Sequence, residues 1–82
     1  MASLSINPNP FSSETTIKIK DNLQNGTIKI FSTIGQLIRK IDNISGTTIN
    51  FKRDNLINGV YYLQLYQGNK LLASEKLIVT DL

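Results

Sequence analysis

The stretch that decides the fold is Leu56–Leu65, which reads Leu-Ile-Asn-Gly-Val-Tyr-Tyr-Leu-Gln-Leu. Gly59 is predicted to lie at a sharp bend of the backbone, since glycine takes positive φ without steric cost and is therefore common at such bends. After it, apolar side chains alternate with period two, as expected of a strand with one buried face. The spacing also has the form of a tyrosine corner, in which the hydroxyl of Tyr61 bonds the backbone just upstream. The stretch therefore predicts a tight corner that leads into a central strand.

Six further stretches have the composition of strands, and a turn signal separates each from the next. These stretches are 4–6, 14–20, 27–32, 37–41, 47–51 and 70–79. The turn signals include 22–26, Gly35, 43–46 and Gly68-Asn69. No window has the apolar spacing of a helix. Seven short strands favour an all-β fold, a seven-stranded immunoglobulin/fibronectin-like antiparallel sandwich, with a small barrel as the main rival.

The length and composition exclude several classes of protein. The chain has 82 residues, which is enough for one domain with a single thin core. It contains neither cysteine nor histidine, which argues against zinc sites, disulfides and Cys or Ser–His nucleophiles. The net charge is +3, with the basic residues spread along the chain, which argues against a nucleic-acid partner. No apolar run is long enough to insert into a membrane.

Residues 1–3, Met-Ala-Ser, are interpreted as a remnant of cloning, so the single domain is expected to span 4–82. No linker, repeat or low-complexity segment divides it.

The sequence offers little for catalysis or metal binding. Its six carboxylates stand mostly at strand ends and turns, where Asp commonly caps the backbone. They are Glu14, Asp21, Asp42, Asp54, Glu75 and Asp81. A calcium site at Asp21-Asn22 or Asp54-Asn55 would need several more oxygen ligands. We therefore expect a protein that is not an enzyme and has no cofactor, with no residue assigned to a metal.

Two weaker patterns remain open. Phe31, Tyr62 and Tyr66 would either point outward and form a stacking surface for sugars, or pack under neighbouring side chains or in the second half of the core. The triplets Asn25-Gly26-Thr27 and Asn43-Ile44-Ser45 match the glycosylation sequon, but both coincide with predicted turns that already explain the asparagines.

Three segments together resemble a known family. The first is Asn7–Phe11, which reads Asn-Pro-Asn-Pro-Phe; the second is the hairpin 28–38; the third is 56–63, followed by a last strand that contains Lys76. In order and spacing they resemble the C-terminal sorting domain (type A) of the type IX (Por) secretion system of Bacteroidetes. Phe51 departs from that pattern, since the family frequently has Trp there.

The resemblance implies a non-catalytic secretion signal at the C-terminus of a larger cargo protein. Such a domain directs its cargo through the outer-membrane type IX translocon, and a sortase-like peptidase of the same system removes it during surface attachment. The expected location is the periplasm in transit, then the cell surface or the medium. The alternative is an accessory carbohydrate-binding or adhesion module, and a structural spacer is a third.

The resemblance also assigns residues. Recognition falls on the last strand, at Lys70, Leu72, Ser74, Lys76, Ile78 and Val79. The structural motif residues are Pro8, Asn9, Pro10, Gly35, Gly59 and Tyr61. We expect the last strand to lie at a sheet edge, where a receptor binds by strand addition or by docking. The same unpaired edge would allow a dimer.

Overall fold

The computed structural model describes residues 4–81, so the proposed remnant at residues 1–3 lies outside the described residues. Within this range the chain forms strands and no helix, and nothing in it could therefore cross a membrane as a helix. The strands are β1 (Leu4–Asn7), β2 (Glu14–Phe31), β3 (Leu37–Lys52), β4 (Gly59–Gln67) and β5 (Lys70–Val79).

All five strands pair antiparallel in one sheet, and β2 is its centre. Residues 16–19 of β2 pair with β1, whereas residues 26–31 pair with β4, and β3 follows β2 along both parts. Strand β5 pairs with β4 and ends the strand order β1-β2-β4-β5. We call the part built on residues 14–20 the β1 half, and the part that contains β4 and β5 the β5 half.

The prediction of seven strands is wrong, and the seven-stranded sandwich is not confirmed. The predicted turns at 22–26 and 43–46 are irregularities within the long strands β2 and β3. Asn25 and Asn43 have φ of 55° and 62°, so the backbone takes the left-handed conformation that the turn signals implied. A two-residue type I′ hairpin needs positive φ at both central residues. Asn25 has positive φ and Gly26 does not, so β2 bends as a bulged strand instead of reversing.

Close packing at the bend explains the glycine that follows Asn25. Gly26 pairs with Ile44 on one side and with Gln67 on the other. A Cβ at Gly26 would lie 3.3 Å from the carbonyl oxygens of both Ile44 and Tyr66. Glycine is therefore needed here because two neighbouring backbones approach, which is a common role of glycine inside strands.

Both halves of the sheet bury their inner faces in one hydrophobic core. Its members are Phe11, Ile17, Ile19, Leu23, Ile28, Ile30, Ile44, Phe51, Leu56, Tyr61, Leu63, Leu65, Ala73, Leu77 and Val79. The rings of Phe11 and Phe51 meet edge to face, with centroids 6.1 Å apart. Each fully buried aliphatic side chain contributes about 1.5–3 kcal/mol. The single continuous sheet is thus bent so that neither half has a core of its own.

Candidate functional site

The last strand, β5, ends the sheet and presents alternate residues to solvent. Ser74 and Lys76 are exposed and Ile78 is half-buried on its outer face. Lys70 is exposed beside the Gly68-Asn69 turn. The prediction that the last strand lies at the end of the sheet is confirmed by the strand order.

Two other residues assigned to recognition turn toward the core. Leu72 packs against the core at a register shift, and Val79 is buried. Glu75 is aligned with the buried Leu63 yet remains exposed. A charged side chain on the core-facing side of an edge strand discourages unwanted pairing with other chains.

The segment after β1 covers part of the free edge of β5. Asn9 Nδ2 donates to the carbonyl of Lys76 at 2.8 Å, and the amide of Ile78 donates to Asn9 Oδ1 at 2.9 Å. The Asn9 side chain therefore occupies the place of a peptide group in a neighbouring strand. The backbone amide of Phe11 then donates to the carbonyl of Ile78 at 3.1 Å, and the backbone amide of Thr80 donates to the carbonyl of Phe11 at 2.9 Å. We call residues 9–11 the edge clip.

The two prolines of the motif flank this contact. The peptide bonds that precede Pro8 and Pro10 are both cis, and the carbonyl of Pro8 accepts a hydrogen bond from Thr15 Oγ1. Thr15 is the one buried polar residue of the described core. The Pro-Asn-Pro-Phe segment thus joins the start of β2 to the end of β5.

The hydrogen bonds of the edge clip do not extend to the first part of β5. Lys76 and Ile78 direct backbone groups toward the clip, and by strand alternation Ser74 directs its own groups to the same edge. Among the loop and side-chain hydrogen bonds of residues 4–81, none reaches Ser74. Among residues 4–81, the hydrogen bonds to this edge of β5 therefore run from Lys76 onward.

The predicted tyrosine corner is confirmed. The hydroxyl of Tyr61 donates to the carbonyl of Ile57 at 2.7 Å, and the ring is buried. Gly59 has φ of 156°, which side chains other than glycine rarely adopt. Since Tyr61 pairs with Leu77 of β5, this corner fixes the strand that supports the last one.

An arginine that the sequence did not single out ties three chain segments together near the end of β5. Arg53 Nε donates to the carbonyl of Leu56 at 2.8 Å. Its Nη1 donates to Asp81 Oδ1 at 2.6 Å, and its Nη2 donates to Asn58 Oδ1 at 2.9 Å. Its Nη1 also reaches the carbonyl of Ser12. A signal was available: only two of the nine basic residues are Arg, whose five donors suit such a junction.

The same junction shifts one ionisation. The hydrogen bonds from Arg53 and then Asn58 lower the pKa of Asp81 from its ordinary value of 3.8. Because the Asp81 carboxylate stays exposed, solvent screens this interaction and it contributes little to stability.

The outer faces of the two halves differ in composition. The β1 half is polar throughout: Ser5, Asn7, Glu14, Thr16, Lys18, Thr48, Asn50 and Lys52. The β5 half instead combines apolar and aromatic side chains with lysines. We call it the aromatic–lysine face: Phe31, Leu37, Val60, Tyr62, Tyr66, Leu71 and Ile78, with Lys29, Lys40, Gln64, Ser74 and Lys76.

Successive register partners form a row across this face. Leu37 lies beside Phe31, Phe31 beside Tyr62, and Tyr62 beside Lys76. Tyr62 is 41% exposed, whereas Phe31 is half-buried. The Tyr66 ring is covered by Lys29, whose Nζ lies 4.6 Å from the ring centroid. The three aromatics therefore lie on the outer face, where Lys29 covers Tyr66 and a single ring, Tyr62, is well exposed.

The carboxylates do not converge on a site. In the described part of the chain, no three side chains of the metal-binding types come together. A groove of about 530 Å³ lies between residues 32–39 and 55–61, and no carboxylate lines it. The two sequon asparagines, Asn25 and Asn43, both lie at the irregularities of β2 and β3.

Comparison with known families gives one result. A family model described as the secretion system C-terminal sorting domain matches residues 5–80, nearly the whole chain. No curated protein matches the sequence. The matched range includes the edge clip, the tyrosine corner and all of β5. The chain belongs to the family of C-terminal sorting domains of the type IX secretion system, a family of sorting signals and not of enzymes.

Proposed function

We propose that this domain is a non-catalytic address that directs a larger cargo protein through the outer-membrane type IX translocon. The observation that carries the proposal is the family match over residues 5–80. In this proposal a sortase-like peptidase of the same system removes the domain during surface attachment. Before this step the cargo passes through the periplasm, and it ends at the cell surface or in the medium.

The last strand is the proposed recognition element, in agreement with the position of β5 at the end of the sheet. Lys76 and Ser74 offer exposed side chains, and no loop or side-chain hydrogen bond of residues 4–81 reaches the Ser74 backbone, which favours strand addition there. From Lys76 to Thr80 the edge clip occupies the backbone, so recognition there works through side chains. Leu72 and Val79 contribute by holding β5 on the core.

The test is secretion of a reporter fused to this chain in a host that carries the system. Deletion of 76–82 is expected to abolish secretion, and secretion at the intact level would contradict the proposal. Since the deletion also removes the buried residues Leu77 and Val79, a point variant is needed. Lys76→Glu reverses an exposed charge without touching the core and should lower secretion, whereas Lys52→Glu on the polar face is the matched control.

The second candidate is a carbohydrate-binding or adhesion module, which the exposed Tyr62 beside Phe31 favours. It predicts that Tyr62→Ser loses retention on polysaccharide, a loss that a pure sorting signal does not predict.

A further inference from the structure

We propose that the aromatic–lysine face docks a protein surface that combines apolar side chains with carboxylates. This inference rests on the proposed function and extends the recognition surface from β5 to β2 and β4. Lys76, the residue that the last strand offers, lies at the end of the row formed by Leu37, Phe31 and Tyr62.

The composition of this face is not required by folding. In a sheet with one buried side, the other side is expected to be polar, and the β1 half follows that rule. The β5 half instead places seven apolar or aromatic residues on its outer side, two of them on the shared strands β2 and β3 and five on β4 and β5. Exposed apolar patches of about 300–600 Å² on monomeric proteins are often functional.

The charges select the partner. Lys29, Lys40 and Lys76 lie on the face, and the acidic side chain beside it, Asp42, already contacts Lys40 at 3.8 Å and Thr27 at 3.0 Å. A second copy would bring lysines against lysines, so self-association through this face is disfavoured. Carboxylates on a partner would instead complement the lysines and speed the encounter.

The shape favours a protein over a sugar. Stacking of sugar rings needs uncovered aromatic faces, but Lys29 covers Tyr66 and Phe31 is half-buried. A shallow depression of about 370 Å³ lies at the end of the face, lined by Phe31, Ser32, Thr33, Gly35, Tyr62 and Gln64. Such a depression beside a flat apolar row accepts a single anchoring side chain from a protein partner.

The size of the face indicates brief binding. Four strands span about 14 Å, and the seven residues from Val60 to Tyr66 span about 20 Å, which gives on the order of 300 Å². Stable complexes bury about 800 Å² on each partner. A face of this size is expected to bind its partner transiently, as a sorting signal requires.

The experiment compares matched charge insertions in the reporter fusion. Tyr62→Glu places a carboxylate in the middle of the face, and Thr16→Glu places one at an equivalent central position of the polar half. We expect secretion to fall about tenfold for Tyr62→Glu, the scale of losing one interface anchor. Thr16→Glu and the ring-preserving Tyr62→Phe should be secreted as the wild type. Equal urea midpoints for all variants exclude unfolding as the cause.

The outcomes separate the two proposals. If the wild-type fusion is not secreted, the proposed function fails. If it is secreted and Tyr62→Glu is secreted equally well, the docking face is overturned while the sorting function stands. Loss of binding to purified lipopolysaccharide with unchanged secretion would assign the face to a sugar and overturn the protein partner. A dimer in sedimentation that Tyr62→Glu dissolves would assign it to a second copy and overturn it likewise.

Discussion

The outer faces of the two halves of the sheet share the strands β2 and β3 but differ in composition. In β2, buried side chains such as Ile17 and Ile19 alternate over residues 14–20 with outward polar side chains such as the exposed Lys18. Residues 26–31 of the same strand also bury every second residue, but their last outward side chain is the aromatic ring of Phe31. The inner faces of both halves are apolar because both are buried in the same hydrophobic core. The difference on the outside therefore points to an interaction, and it coincides with the half that carries β5.

The largest expected effect tests whether the two halves share one core. Ile17 lies in the β1 half and Leu63 in the β5 half, and both are fully buried. Ile17→Ala and Leu63→Ala should each destabilise the domain by about 2–5 kcal/mol, because each leaves a cavity in the same core. Urea unfolding followed by circular dichroism and by tyrosine fluorescence should show one coincident transition for both variants. Two separate transitions would mean that the halves are independent units.

A smaller effect is expected where the β1 side reaches across to the β5 edge. Asn9→Ala removes two hydrogen bonds to β5 and should cost about 1–3 kcal/mol. It should also speed hydrogen exchange of the Ile78 amide, which donates to Asn9. Asn7→Ala is the matched control, since Asn7 is exposed in the same segment. Equal losses of unfolding free energy for the two variants would show that the edge clip does not stabilise the position of β5.

The tyrosine corner gives the next smaller effect, within the β5 half alone. Tyr61→Phe removes the buried hydrogen bond to Ile57 and should cost about 0.5–1.5 kcal/mol in unfolding free energy. Tyr62→Phe, next in sequence but on the outer face, should change stability by less than about 0.5 kcal/mol. A larger loss from Tyr62→Phe would mean that the outer face is structural, which would weaken the comparison.

The smallest expected effect depends on pH and concerns the junction at the end of β5. The pKa of Asp81 is lowered by its hydrogen bonds to Arg53 and Asn58. Its contribution to stability is therefore fully present above the ordinary pKa of 3.8 and is lost as pH falls through the lower folded value. Asp81→Asn should be slightly less stable than wild type at pH 6, and the difference should shrink as pH falls below 3.8. A difference that grows on acidification would contradict this assignment.

Local patterns in the sequence predicted the strand-forming stretches, the tyrosine corner and the turns at Gly35 and Gly68-Asn69. They failed at 22–26 and 43–46, because a hairpin and a bulge both use residues with positive φ such as Asn25 and Asn43. Which of the two forms depends on the pairing of distant strands, and local sequence does not contain that information.

The candidate site was predicted in the same partial way. The alternation along β5 follows from the sequence, so the outward direction of Ser74 and Lys76 could be expected. The hydrogen bonds from Asn9 to β5 join residues 67 and 69 positions apart, and those of Arg53 join segments 41 and 28 apart. Contacts of this range depend on the complete fold, so single-sequence reasoning missed both the edge clip and the arginine junction.

The most direct test of the account is site-specific photo-cross-linking of the reporter fusion during export. A photoreactive phenylalanine analogue replaces Tyr62 on the aromatic–lysine face in one variant and Thr16 on the polar face in another. We expect adducts with outer-membrane components of the type IX system from position 62 and none from position 16. Adducts from position 16 alone, or equal adducts from both, would contradict docking through the aromatic–lysine face.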